Sequence, residues 1–140
     1  MIFWDTSALL RLVVQEPDSA RFLPVLTISP TIVVWWASEV EAESAISRRE
    51  RDGSLSSAAA EHARTALERI LGRCAQVTPS TTLRATARRL LRTHPLRAAD
   101  ALQLAAALAW ADARPQGHGF CSADNRQLEA AAAEGFVLLP

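Results

Sequence analysis

The sequence predicts an α/β fold: a three-layer α/β/α sandwich with a short parallel central sheet and helices on both faces. Three observations carry this. Short apolar runs of three to five residues alternate with longer segments of helical period. Short strands alternating with helices imply parallel connections covered on both sides. One segment, Arg97–Ala113, is apolar almost all round, with only Asp100, Gln103 and Asp112 polar inside it, and such a helix is buried. The chain has 140 residues, 49% of hydrophobic type, with no repeat, linker or composition boundary. It reads as one domain over residues 1–140. A domain of this size buries roughly 68–70% of its unfolded surface and needs no metal or disulfide to fold.

Each element has a local reason. Met1–Trp4 is a short apolar run ending in Asp5, a buried strand. Thr6–Val14 reads as a helix stopped near Glu16-Pro17, and Asp18 or Ser19 can cap a second helix to about Leu26. Thr31–Trp35 is β-branched and apolar, hence extended. A helix from about Ser38 to Arg51 ends at Asp52-Gly53, and Ser56 or Ser57 starts another that runs to about Leu71, before Gly72. Ala75–Thr78 is a strand, and Pro79 opens a helix through about Arg92. After Pro95 comes the buried helix. Gly119–Ser122 is a strand, Asp124–Glu134 a helix, and Phe136–Leu139 the last strand after Gly135.

Charge and composition exclude several functions. Arg supplies all 15 basic charges, Asp and Glu total 15, and the formal net charge is +0. This is not a globally basic nucleic-acid binder, so an anionic substrate must be held by a local patch or a metal. Without Lys there is no phosphate loop of the G-x-x-x-x-G-K type and no Schiff-base chemistry. None of the five glycines forms G-x-G-x-x-G. His62, His94 and His118 lack zinc-ligand spacing, and His94 and His118 read as surface loop residues. Cys74 and Cys121 read as reduced, buried thiols. The N-terminus has no basic region before Asp5, and no apolar run is a convincing membrane span. The expected location is the cytoplasm, with no membrane partner.

In a parallel sheet every strand-to-helix junction lies on one edge. Asp5 sits at the first junction and Asp124 at the last helix-opening one. Asp100 lies in the first turns of the buried helix, and Glu41 in the first turn of the Ser38 helix. Each acid has a plain alternative. Acids at helix N-termini are favoured by about 0.3–1 kcal/mol. Asp5 and Asp124 can be N-caps. Ser38-Glu39-Val40-Glu41 fits a capping box, and Arg97 is a candidate partner for Asp100. Against that, Asp100 adjoins a very apolar helix, where an unpaired carboxylate is costly to bury. At 100° per residue Glu39, Glu43 and Glu50 share one side, read as a solvated face. Glu41 falls roughly opposite, among Ala37, Ser44 and Ala45. A divalent cation would relieve the repulsion of several carboxylates in one pocket. All-oxygen ligation points to Mg²⁺, with Mn²⁺ as a substitute, rather than zinc. Such a site suits hydrolysis of a phosphodiester.

Four blocks resemble the PIN-domain ribonucleases, most closely the VapC-like toxins of toxin–antitoxin pairs. FWDTSALLRLVVQEPDSARF is similar to the family's opening and places Asp5, with Thr6 and Ser7 beside it. SEVEAESAISRRERDGSLS resembles the second motif, whose register selects Glu41 three residues ahead of Ser44-Ala45. LRAADALQLAAAL resembles the third and places Asp100. FCSADNRQLEAAAAEG resembles the fourth and places Asp124, with Ser122 at the hydroxyl position. The resemblance implies a Mg²⁺-dependent endoribonuclease, homodimers, and inhibition by a small antitoxin whose tail enters the acidic groove. Asp5, Glu41, Asp100 and Asp124 would be the catalytic and metal-binding acids, with Thr6 and Ser122 supporting them. Gln127 departs from the pattern, standing where an apolar residue is common, and Trp35-Trp36 is an unusual pair.

Arg48, seven residues after Glu41, shares its side and is a candidate RNA contact, as is Arg97. Arg49 and Arg51 read equally as RNA-phosphate contacts or as a solvated face at the helix C-terminus, and Arg88, Arg89 and Arg92 read as solvent-facing charges. Trp35 and Trp36 could stack on bases, but core packing or a dimer interface suits them better. Two other readings remain open: a PIN nuclease that processes RNA without an antitoxin, and a non-catalytic module whose acids are only helix caps.

Overall fold

The computed structural model describes residues 1–140. Along the chain run β1 (Ile2–Trp4), α1 (Thr6–Leu10), a 3₁₀ turn (Ser19–Arg21), α2 (Leu23–Ile28), β2 (Ile32–Trp35), α3 (Ser38–Arg51), α4 (Ser57–Leu71), β3 (Ala75–Val77), α5 (Thr81–Thr93), α6 (Ala98–Trp110), β4 (Gly119–Cys121), α7 (Asn125–Glu134) and β5 (Val137–Leu139). The five strands form one parallel sheet in the order β3-β2-β1-β4-β5. No helix is long and apolar enough to cross a membrane.

Alternation along the short strands builds two cores, one on each face. Ile2, Trp4, Ile32, Val34 and Cys121 point into a cluster with residues of α1 to α4. Phe3, Val33, Trp35 and Phe120 point into the other, with α5, α6 and α7. Phe3 stacks on Phe120 across β1 and β4 at 5.6 Å between ring centroids, a contact worth about 0.5–1.5 kcal/mol beyond its burial. The apolar helix is buried as its sequence requires: Ala101, Leu104, Ala105, Ala106 and Ala107 have no exposed surface. Small side chains let α5 pack closely along it.

Several boundaries differ from the sequence reading. The first helix ends at Leu10, not Val14, because Arg11, Leu12 and Val13 turn back on i→i−3 bonds and Ser19 Oγ holds the Val14 carbonyl at 3.2 Å. The second segment is split. Pro24 has no N–H to continue a helix and instead sits in the first turn of α2. Asp18 caps nothing and pairs with Arg11 Nε at 2.6 Å. Ser80, rather than Pro79, caps α5 through its Oγ to the Leu83 N–H at 3.0 Å. Helix α6 stops at Trp110, and Asp112 (φ 49°) and Ala113 (φ 56°) both turn left-handed.

Three side-chain expectations are corrected. Glu43 and Glu50 are not simply solvated. Arg64 of α4 reaches Glu43 Oε1 at 3.0 Å and Glu50 Oε2 at 2.9 Å, tying α4 to α3. His94 is not a surface residue: Nε2 lies 2.7 Å from Glu134 Oε1. His118 packs edge-on against Trp110 at 4.9 Å. Of the tryptophan pair, Trp35 is buried and Trp36 is 55% exposed. Both cysteines are free, Cys121 buried and Cys74 only half-buried. Burial raises both thiols, Cys74 to about 11, so neither is an activated nucleophile.

Candidate active site at the carboxyl edge of the sheet

Asp5, Glu41 and Asp124 lie where strands β1, β2 and β4 hand over to helices, whereas Asp100 lies in the first turn of α6, which follows helix α5 rather than a strand. Asp5 follows β1 and is 3% exposed. Its Oδ1 accepts the Ala8 N–H at 3.0 Å, capping α1, and the Ser7 hydroxyl at 2.7 Å. Its Oδ2 accepts the Ser122 hydroxyl at 2.8 Å. No cation touches it. Burial, the dominant cause, pushes its pKa up to about 6, against those hydrogen bonds, and the nearby Asp124 adds to the rise. Ser122 follows β4, and its Oγ also accepts the Asp124 N–H at 3.0 Å. Asp124 caps α7 by accepting the Arg126 N–H on Oδ1 at 2.8 Å.

Glu41 faces inward, as its helical angle requires. Its Oε2 accepts the Thr6 hydroxyl at 2.9 Å and Gln103 Nε2 at 3.0 Å. Burial raises its pKa, and Asp100 raises it further. The capping box expected at Ser38–Glu41 is absent. Ala37 is the N-cap residue, with no side-chain cap. Ser38 Oγ is instead 3.1 Å from Gln103 Nε2. The reciprocal bond occurs on α6, where Asp100 Oδ2 accepts the Arg97 backbone N–H at 3.2 Å. The Arg97 guanidinium does not pair with Asp100, and both Arg97 and Arg48 are exposed. Arg49 is taken by Glu16.

Capping and site-building therefore coincide at Asp5, Asp100 and Asp124: one oxygen serves the helix. Asp100 Oδ1, Asp124 Oδ2 and Glu41 Oε1 accept no protein hydrogen bond. The Asp124 charge adds to the rise at Asp5, and the Asp100 charge to the rise at Glu41. No group of three or more His, Cys, Asp or Glu side chains closes on one point as a metal cluster. The donor chemistry still fits a hard divalent cation. The buried Asp5 and half-buried Glu41 carboxylates are held only by hydroxyl and amide donors, and unpaired carboxylate oxygens remain on three acids.

Sequence reasoning missed Gln103, Ser7, Ser38 and the role of Gln127. Gln103 is 2% exposed, and its Nε2 also lies 2.6 Å from Thr6 Oγ1. Its signal was legible: a lone amide on the apolar helix, three residues after Asp100 and so on the same face. Ser7 Oγ accepts the Ala123 N–H at 2.8 Å, joining the first and last junctions. Gln127, the departure from the family pattern, is 1% exposed, and its Nε2 donates to the Asp100 carbonyl at 3.2 Å. It joins the start of α7 to the start of α6, so an amide does positional work where an apolar residue would only pack.

The comparisons agree with this geometry. No curated protein matches the chain. The crystal structure of FitAcB from Neisseria gonorrhoeae superposes with a TM-score of 0.67 at 14% identity, covering 100% of this chain and 97% of that one. The model of the PIN domain matches residues 2–132, a span that contains all four acids and the residues that hold them. With the parallel sheet and its carboxyl-edge acids on that span, the chain belongs to the PIN-domain family.

Proposed function

We propose that this protein is a divalent-metal-dependent endoribonuclease, the VapC-like toxin of a toxin–antitoxin pair, acting as a homodimer in the cytoplasm. The observation that carries the nuclease reading is the pair Asp5 and Glu41. Asp5 is buried and Glu41 half-buried at the sheet's carboxyl edge, and both are raised in pKa and held by neutral donors alone. Structural caps gain nothing from such burial, so a module with caps only does not account for Glu41, which caps no helix. PIN domains are generally nucleases; the toxin and antitoxin reading rests on the resemblance of the four sequence blocks to VapC-like toxins.

Mg²⁺ or Mn²⁺, held by Asp5, Glu41, Asp100 and Asp124, would polarise a phosphoryl oxygen and acidify the attacking water. The chain supplies the rest. Ser7, Ser122 and the Ala8 N–H fix the Asp5 carboxylate, so it needs no rearrangement when substrate arrives. Thr6 and Gln103 fix Glu41 by one oxygen and leave Oε1 free to accept a proton from water. The test is cleavage of RNA by purified protein with Mg²⁺, Mn²⁺ or a chelator. Metal-dependent cleavage that is lost in Asp5→Asn is the expected result. Cleavage that survives chelation and Asp5→Asn alike would overturn the reading.

A further inference from the structure

A cavity of about 300 Å³ opens past the carboxyl ends of β2 and β3, lined by Trp35, Pro79, Leu83, Leu102 and Arg84 with the Ser80 and Thr81 hydroxyl residues. Its position follows from two elements. Trp35 ends β2, three residues before Ser38. Leu102 lies in the second turn of α6, about 200° round the helix from Asp100, on the side that meets Leu83 and Arg84 of α5. The cavity therefore shares the carboxyl edge of β2 and the opening turns of α6 with the candidate site. Its volume is at the lower end for ligand pockets, enough for one unpaired base. Trp35 is 5% exposed, and its Nε1–H has no partner within the fold.

From this cavity a row of cations leads away. Helix α5 carries Arg84, Arg88, Arg89 and Arg92 and no acid. Arg89 is engaged by Glu134 at 3.0 and 2.7 Å. Arg84, Arg88 and Arg92 are exposed and pair with no carboxylate. They recur every four residues on one face, about 6 Å apart along the axis. That pitch resembles the separation of phosphates along an extended single strand. Like charges at this spacing destabilise a helix, and a polyanion laid along them relieves the repulsion.

We propose that the Trp35 cavity and the Arg84–Arg88–Arg92 row form a track for single-stranded RNA. One base near the scissile bond enters the cavity, and the phosphates beyond it follow the arginines. This rests on the ribonuclease reading and deepens it by assigning where the strand lies. A single-stranded substrate is favoured because the cavity admits a base only when it is splayed from its partner.

The test pairs an abasic scan of a short RNA with arginine variants. Binding is read by fluorescence anisotropy in the Asp5→Asn background, and kcat and KM in the otherwise wild-type protein. One position should lose about five- to a hundred-fold in affinity when its base is removed. That loss should shrink in Arg84→Ala. Replacing Arg84, Arg88 and Arg92 together by Ser should flatten the salt dependence of log K by about 2. It should raise KM while kcat persists. A flat abasic scan with an unchanged salt slope, in a protein that still cleaves RNA, overturns the track and leaves the ribonuclease standing. Failure of the unmodified protein to cleave any RNA with Mg²⁺ or Mn²⁺ removes the ribonuclease reading and the track together. Equal arginine dependence for polyglutamate makes the row a general polyanion site and overturns the RNA track. So does a change from dimer to monomer in Arg84→Ala with RNA affinity intact, which makes this face an interface between copies.

Discussion

Gln103 Nε2 lies 3.0 Å from Glu41 Oε2 although 62 positions separate them in sequence. The same amide nitrogen touches Thr6 Oγ1 at 2.6 Å and Ser38 Oγ at 3.1 Å, so one side chain gathers residues of three helices around the inward glutamate. Leu is nearly isosteric but cannot donate. Gln103→Leu should cost about 1–3 kcal/mol in chemical unfolding, the penalty for buried acceptors left without a donor. It should also raise the pKa of Glu41 further, since that hydrogen bond lowers it. A shift of the acid limb of the pH–rate profile to higher pH distinguishes this positioning role from simple loss of stability.

The buried Asp5 predicts an unusual pH dependence of folding. Its pKa is 3.8 when unfolded and about 6 when folded. Between those values the folded state binds more protons than the unfolded state, so stability falls as pH rises. The stability that Asp5 contributes is fully present below about pH 4 and lost as pH passes 6. The full shift corresponds to ~3 kcal/mol. Glu41, also raised, acts in the same sense. Melting temperature without divalent metal should therefore be higher at pH 5 than at pH 7.5. In Asp5→Asn the difference should narrow, with a gain at pH 7.5. Equal pH dependence in the two proteins would contradict the burial argument.

Divalent metal should reverse that loss. A ligand that binds only the folded state stabilises it by mass action, and carboxylate ligands must be deprotonated. Millimolar Mn²⁺ should raise the melting temperature more at pH 7.5 than at pH 5, and not at all in Asp5→Asn. An unchanged melting temperature at pH 7.5 counts against the site.

Glu41 and Glu43 are two residues apart but do different work. Glu41→Gln keeps the shape and should strongly reduce cleavage while folding persists. Glu43 pairs with Arg64 in a partly exposed position. Glu43→Gln should leave cleavage intact and cost no more than about 1 kcal/mol. The reverse pattern in a cleavage assay would move the site to the other face of α3.

The free protein should scatter light as a species of about twice the 15.2 kDa chain mass. Trp36 and Val40 are exposed one turn apart at the start of α3 and supply apolar surface suited to association. A monomer at micromolar concentration would remove the dimer and leave the nuclease chemistry untouched.

Periodicity and punctuation in the sequence determine most of this fold. The unbroken apolar runs IFW and IVVW, buried on both faces, the Gly and Pro stops, and the apolar helix after Arg97 fix strand, helix and layer from local chemistry, because exposing such runs is costly. The same helical arithmetic sends Glu41 inward and Glu43 outward. What local pattern cannot encode is which polar groups meet across the sheet edge. Whether Ser38 caps its own helix or meets Gln103, whether Glu43 meets water or Arg64, and whether Gln127 only packs or holds Asp100 depend on how helices dock. Each hydroxyl, amide or carboxylate has several partners of similar worth within reach of its own backbone. Only when the two cores close on either side of β1 and exclude water does an unpaired group become expensive enough to force one choice.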